Sequence, residues 1–518
     1  MTNQGALQAR GTTQFAATIA LLVFALALWL RVVALGRDGL WLDEVYSASF
    51  ANLSAMGTVV ATFLYDPHPP LYYLQLNAWG RLGHGDFWLL LNSVSWSAAT
   101  LLAALLGTTR QFGSIAGLIA LCFCAVMGSE VFFADELRMY AMYGCLSVLS
   151  WIAANRLRTD YRFRTALPLI LILAIMGAIH SASILGASAA LLYALPQGSR
   201  QQIRRQLPTW VAIAAVVACT YLPWVINASF RHVAHTSAPT LQSASHTIAG
   251  WIIGYGVAPW PAWANTVTTS VVAASLIAIA LTLPLLSRLV ICFIGWPLLF
   301  AAVLSFAVQP IWVDRAFAFC APFLAIAYGV AIGGIVTRLS RESSKAALYS
   351  ATGLIAAATA GGAWLAYAQV TTPYKPDHYR ELAWYLAEKV KPGEIVYAPD
   401  AATFWGVSRY LIGPDWGNIL QVQDTAELFQ LKKWQRIYAL LGPAAAGRLG
   451  LLPTGRRVDS FRVPMFIGFS PLPDLANVTA VWLLVPDDAS LNGLRPCAGQ
   501  LPAPSVFGRL LAFRVACS

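Results

Sequence analysis

The amino-acid sequence predicts a polytopic α-helical membrane protein of about 11 transmembrane helices, followed by a soluble α/β domain. Three observations lead there. Of the 518 residues, 58% are hydrophobic and only 11% are charged, against roughly 25% charged in an average soluble protein. Apolar runs long enough to cross a hydrocarbon core, about 20 residues each, recur up to residue 367. From residue 368 onward Lys, Asp, Pro and Gly return to ordinary globular frequency. The expected organisation is a membrane domain over 1–367 and a second domain over 368–518.

Taken in chain order, the apolar runs place spans at roughly 14–36, 87–108, 113–129, 139–155, 166–180, 181–196, 209–227, 265–286, 289–308, 316–336 and 346–367. The first run is too long for a signal-peptide core and lacks a small-residue cleavage site, so it reads as a retained span. Arg10, Arg110, the cluster Arg156, Arg158, Arg162 and Arg164, the cluster Arg200, Arg204 and Arg205, Arg288, and Arg338, Arg341 and Lys345 all fall on one side of this arrangement. The positive-inside rule makes that side cytoplasmic. Asp38, Asp43, Glu44, Asp66, Asp86, Glu130, Asp135, Glu136 and Asp314 fall on the other. An odd number of crossings then leaves the N-terminus cytoplasmic and the tail periplasmic or extracellular, in a multi-pass protein of the cell's inner (plasma) membrane.

Two outer segments are long, 37–86 and about 228–264. Within the first, "PPLYYLQLNAWGRLG" is apolar and aromatic but too short to span, and reads as an interfacial or re-entrant helix. The tail opens with "DHYRELAWYLAEKVKPGEIVYAPD": apolar residues at helical spacing, a Pro-Gly turn, then a strand-like run. The formal net charge of +11 is dispersed between apolar segments rather than gathered into a stripe, which reports topology and argues against nucleic acid as a partner. Cys122, Cys124, Cys145, Cys219, Cys292 and Cys320 lie in or beside apolar runs without metal-ligand spacing and read as packing residues. Cys497 and Cys517 lie in the tail, where a pair fits a disulfide if the compartment is oxidising.

Four outer features set ionisable groups where an apolar run meets the surface: "WLDE" at 41–44, "YDPHPPLYY" at 65–73, "FFADELRMY" at 132–140 and "PIWVDRAFAF" at 310–319. Charge at such depth is costly and marks either a site or a structural ion pair. Asp43 and Glu44 are adjacent and cannot point the same way, so one can face a cavity while the other is held by a hydrogen bond or ion pair, an arrangement suited to an oriented general base. The competing reading is a helix N-terminus at which both acids favour the positive end of the dipole. Pro67, Pro69 and Pro70 stiffen the chain about Asp66 and His68, or simply start the next helix. Arg138, next to Glu136, is a permanent cation suited to phosphate or carboxylate. His180 sits at the outer end of its span, as a cavity group or a packing residue. Arg315, beside Asp314, offers a second cation or an internal ion pair.

The chain carries no Walker-type loop, no nucleotide-binding glycine fingerprint and no HExxH. A substrate already activated and lipid-soluble therefore fits better than ATP. No cofactor is called for. A divalent metal could draw on Asp43, His68 and Glu136, but none has diagnostic spacing.

At these residues the sequence resembles the membrane glycosyltransferases of the C superfold, in the branch of protein O-mannosyltransferases and lipid A aminoarabinose transferases. The likeness is carried by "WLDE" after the first span, "DPHPPLYYL" later in the same loop, "ADELRMYAM" in the next outer loop, "DRAFAFCAPFLA" approaching a late span, and the tail segment quoted above. The family's second loop often reads Gln-Glu-Ala-Arg, and a Tyr commonly follows the late Arg; here the sequences are "ADELR" and "RAFAF". The resemblance implies a C-type glycosyltransferase fold and transfer of a sugar, with inversion, from a polyprenyl-phosphate donor to an acceptor hydroxyl on a glycolipid, a cell-envelope glycan such as lipopolysaccharide, or a protein. It implies that Asp43 is the catalytic base with Glu44 beside it. Asp66, His68, Glu136, Arg138, His180 and Arg315 are the candidate substrate-binding residues, with Arg138 favoured for the lipid phosphate. Two alternatives are an ion-coupled transporter, which would show repeat-related halves with broken midplane helices, and an envelope polysaccharide ligase or polymerase.

Overall fold

A computed structural model describes residues 3–229, 238–255, 261–341, 345–398, 401–412, 465–467, 478–487 and 501–517. Each of the eleven apolar runs is helical, and short helices occupy segment 37–86. The chain runs through α1 (Asn3–Val32), α2 (Leu42–Ala51), α3 (Ala55–Tyr65), α4 (Leu71–Gly80), α5 (Asp86–Phe112), α6 (Ser114–Val126) and α7 (Gly128–Phe132). It continues through α8 (Tyr140–Thr159), α9 (Phe163–Ile179), α10 (Ile184–Tyr193), α11 (Arg200–Ser229) and α12 (Leu241–Ile253). The last apolar helices are α13 (Ala262–Thr282), α14 (Pro284–Val290), α15 (Trp296–Ala307), α16 (Cys320–Arg341) and α17 (Lys345–Thr371). The helices α14 and α15 are joined through a π-helical turn, Ile291–Gly295.

Among the described residues, six helices are long and apolar enough to cross a membrane, or seven if the bent pair Ser114–Val126 and Gly128–Asp135 is one span. The first run, α9 and α10 are apolar but shorter, as Ala16–Val32, Phe163–Ile179 and Ser181–Tyr193. The segment 37–86, expected as a loop, is built from α2, α3 and α4, and "PPLYYLQLNAWGRLG" yields the ten-residue α4.

The described chain divides into two compact units. The first comprises Met1–Leu35, Asp66–Tyr72 and Leu90–Pro373. Its tightest helix pair is α6 with α16. A Cβ on Gly329 would come within 2.6 Å of the Ala120 Cβ, and one on Gly333 within 2.8 Å of the Ala116 Cα. Two small residues four apart on each helix thus let the backbones approach, as in helix packing within lipid, where van der Waals contact replaces the hydrophobic drive. The unit also buries Arg31, whose Nε donates to Ser97 Oγ at 2.7 Å and whose Nη1 donates to the Ala125 carbonyl at 2.9 Å. Glu130 is close enough to act electrostatically on this guanidinium. A lone arginine inside an apolar helix is tolerable because its donors are satisfied. Cys122, Cys124, Cys145, Cys292 and Cys320 are buried as free thiols, while Cys219 is exposed.

The second unit joins Gly36–Tyr65 and Tyr73–Leu89 to Tyr374–Ser518, so most of segment 37–86 clusters with the tail. After α18 (Tyr379–Lys389), Gly393 adopts φ +88, which lets the Pro-Gly turn reverse into β1 (Glu394–Ala398). The helix α19 (Ala401–Ile412) follows, then β2 (Met465–Ile467), β3 (Ala480–Pro486), β4 (Ser505–Phe507) and β5 (Leu510–Ala516). The sheet order is β2-β1-β3-β5-β4. β1 runs parallel to β2 and β3, and β5 runs antiparallel to β3 and β4. One face buries Ile395, Tyr397, Val481, Leu483, Val485, Phe513 and Val515. Cys517, just past β5, is disulfide-bonded; its expected partner Cys497 lies outside the described residues.

On the opposite face of the sheet the Glu394 carboxylate accepts from Trp482 Nε1 at 2.8 Å, the Lys391 amide at 3.1 Å and Arg514 Nε at 3.1 Å. Burial alone would raise this carboxyl, but those donors outweigh it and hold it below the ordinary carboxylate range.

Two tests follow from this packing. Gly329→Leu is expected to destabilise the α6–α16 pair by about 1–3 kcal/mol through overpacking, read as a lower melting temperature of the detergent-solubilised protein. Gly334→Leu, on the same helix but facing open space, should leave it unchanged. Because the folded Glu394 pKa lies below its unfolded value of about 4.3, the stabilisation is fully present above that value. It is lost as pH falls through the folded pKa. Near-UV circular dichroism of Glu394→Gln should lack the acid-dependent component seen in the parent between those two values.

Candidate functional site

The "WLDE" motif opens α2. Asp43 and Glu44 lie in its first turn, where carboxylates interact favourably with the positive end of the helix dipole. Their surroundings differ. Asp43 is half-buried, and its backbone carbonyl accepts from Ser47 Oγ at 3.1 Å. Glu44 is fully buried, accepts from the Trp41 amide at 3.1 Å, and lies 3.0 Å from Lys375 Nζ through each carboxylate oxygen. Both side chains of that ion pair are at most 1% exposed. Glu44 is therefore committed to a buried ion pair, which sets its surroundings apart from those of the half-buried Asp43.

Further groups of the second unit hold the same turn. The Leu42 amide donates to Asp377 Oδ2 at 3.1 Å, and the Leu40 amide donates to Tyr410 Oη at 2.8 Å. Tyr410 in turn donates to Asp86 Oδ2 at 2.7 Å, while Arg409 Nη2 lies 2.8 Å from Asp86 Oδ1. Asp86, expected only as a topology-setting acid, is thus a junction for α19. A cavity of about 370 Å³ lies beside it, lined among others by Ala48, Asn77, Arg81 and His84.

The other sequence candidates fall in the first unit. In "DPHPP" the buried Asp66 carboxylate accepts the His68 amide at 2.7 Å, a turn that Pro67 stiffens, and α4 starts directly after Pro69 and Pro70. This aims the His68 ring at Ser181 Oγ, 3.2 Å from Nδ1, and stacks it on His180 with centroids 4.5 Å apart. His180 caps α9 in extended backbone. Its other face stacks on Tyr143 at 5.6 Å, and Tyr140 meets it edge-on. The ring is 3% exposed, and its Nδ1 has no hydrogen-bond partner among the described residues.

The charges of Arg138 and Arg315 both act on this ring. Arg138 reaches its position because the chain breaks after α7. A 3₁₀ turn, Phe133–Asp135, leads to Glu136 in extended backbone, whose carbonyl accepts from Ser93 Oγ at 2.6 Å and from the Arg138 amide at 2.7 Å. Glu136 and Arg138 are both buried. Arg315 sits in the 3₁₀ turn Asp314–Phe317. Its neighbour Asp314 pairs with His246 Nδ1 at 2.7 Å and accepts from Thr247 Oγ1, both from α12. The Asp314 hydrogen bond raises the His246 imidazole above its ordinary value against the opposing effect of burial.

The first unit thus gathers Asp66, His68, His180, Arg138 and Arg315, and the second holds Asp43 and Glu44. Sequence reasoning missed Ser181, Tyr143, Lys375, Asp377 and Tyr410. Only the "YKPD" at 374–377, a charged cluster directly after the last apolar run, was a usable signal. No group of three or more His, Cys, Asp or Glu side chains that could hold a metal occurs among the described residues.

Removing one partner of a buried ion pair leaves an uncompensated charge. Lys375→Met is therefore expected to destabilise by about 3–5 kcal/mol. The Glu44→Gln/Lys375→Met double variant should recover most of that loss. Melting of the purified proteins in detergent checks both.

No protein-family model matches the chain, and no curated protein matches it in sequence. Solved structures do. ArnT from Cupriavidus metallidurans, in the apo state and bound to undecaprenyl phosphate, superposes with a TM-score of 0.53 at 12% identity, covering 98% of each chain. The Archaeoglobus fulgidus oligosaccharyltransferase in complex with Zn and sulfate gives 0.47 at 12% identity, covering 90% of this chain and 67% of that one, a similarity too low to carry an argument. The match to ArnT runs the length of both chains, spans and tail together, and the chain has the fold of the C-superfold membrane glycosyltransferases that its motifs resemble.

Proposed function

We propose that the protein is an inverting glycosyltransferase that moves a sugar from a polyprenyl-phosphate donor to an acceptor hydroxyl at the outer face of the inner membrane. The observation that carries this reading is the presence of two cations, Arg138 and Arg315, whose charges both act on the buried His180 in a chain only 11% charged. Paired cations at such a place suit a phosphate, which needs charge compensation most as it departs. The fold match to a protein captured with undecaprenyl phosphate supports the same class of donor.

In the proposed reaction Asp43 accepts the proton of the acceptor hydroxyl. The freed oxygen forms a bond to the anomeric carbon as the bond from that carbon to the phosphate oxygen breaks. The electron pair leaves on the lipid phosphate, whose added charge Arg138 and Arg315 compensate. A single displacement inverts the anomeric centre. His68, held by Asp66 and Ser181 and stacked on His180, offers a polar edge to the donor. The sugar is a hexose or pentose, and a glycolipid, an envelope glycan or a protein hydroxyl supplies the acceptor. With Glu44 paired to Lys375, the base role rests on Asp43 alone. The proposed disulfide, Cys497 with Cys517, accords with a tail outside the cytoplasm.

Mass spectrometry of glycolipids and glycans from cells with and without the gene is expected to show one glycan short of one sugar. Asp43→Asn should abolish that product by about 10²–10⁴-fold, the usual worth of a general base, with unchanged protein yield. Arg138→Ala should cost about 10²–10³-fold. Undiminished product from Asp43→Asn would remove it as the base.

A further inference from the structure

We infer that Lys375 and Asp377 are positioning residues for Asp43, so that the tail is a working part of the catalytic apparatus rather than an appended domain. This rests on the reading of Asp43 as base. A helix leaves its first amides without partners inside the helix, so whatever accepts from them sets how the first turn sits. At the entry to α2 the tail supplies an acceptor for the first helical amide and for one amide before the helix. Asp377 takes the Leu42 amide and Tyr410 the Leu40 amide. Lys375 grips Glu44, and Glu44 itself accepts the Trp41 amide. Asp43 therefore lies between two residues, Leu42 and Glu44, each held by a tail group on either side of it.

The hold is braced from both ends. Arg380 Nη1 donates to the Gly36 carbonyl at 2.9 Å and its Nη2 donates to that of Arg37, which fixes the approach to Gly39, a residue at φ +74. Asp377 is itself fixed by the turn between β4 and β5. Arg509 Nη2 lies 3.1 Å from its other carboxylate oxygen, the Arg509 amide donates to the Pro376 carbonyl at 3.0 Å, and Asp377 forms an isolated bridge with Gly508. The sheet thus sets Asp377, Asp377 sets the Leu42 amide, and the Leu42 amide with Glu44 sets the direction of Asp43. A base must lie within hydrogen-bond reach of the proton it removes, so loosening this turn acts on turnover without touching the substrate.

The test uses the full-length protein. Product is measured by the glycan mass spectrometry described above, and amide hydrogen exchange over Leu42–Val45 is measured on protein in detergent. Asp377→Ala is expected to lower product about 100-fold, the scale of a misplacement near 1 Å, and to speed exchange at those amides. Asp377→Asn, which keeps an oxygen to accept from Leu42, should restore both, a rescue that a general loss of fold would not produce. Normal product and normal exchange in Asp377→Ala would overturn the positioning role while leaving Asp43 as base. Full product from Asp43→Asn would overturn the base reading and the positioning role with it.

Discussion

An ammonium and a carboxylate, Lys375 and Glu44, lie 3.0 Å apart with almost no exposure, and the arrangement of the second unit depends on them. Moving either charge out of water is costly, and the cost is met only while the other stays in place with its hydrogen bonds made. The pair joins residues 331 positions apart in sequence, and neither member can be displaced alone. A contact of this kind adds little net stability compared with an apolar substitute, but it permits one register only. The first turn of α2, with Asp43 in it, inherits that register.

The same economy of charge runs through the first unit. Arg31 has its donors satisfied by carbonyls and Ser97, and Asp314 is held by His246 and Thr247. The charges of Arg138 and Arg315 both act on the buried imidazole of His180. Two cations acting on one buried ring suit an anionic ligand, and that is the physical sense of the proposed donor site.

Much of the architecture was legible because lipid imposes one pattern. Every run read as a candidate span is a helix, and "DHYRELAWYLAEKVKPGEIVYAP" does pass from helix through a Gly turn to strand. Length was less legible: α9 and α10 are apolar but short, since hydropathy reports composition and not where a helix stops. The interior of segment 37–86 was hidden because its helices pack against residues far away in sequence, as Tyr46 of α2 does against Trp405. For the same reason Glu44 could be separated from Asp43 only once Lys375 was seen beside it. The motifs pointed to the polar groups, but periodicity carries no information on which of two adjacent acids meets Lys375.

The α6–α16 contact has a mechanical meaning. With Ala116, Ala120, Gly329 and Gly333 between them, the two backbones have no layer of flexible side chains to take up a displacement, so rotation or sliding of one against the other meets hard contact at once. They behave as a single stiff stave. In contrast, α11 carries Pro208 and Pro223 within its length, and α13 and α17 bury little of their apolar surface. Compliance in the first unit is therefore unevenly distributed, and lateral give belongs to those helices.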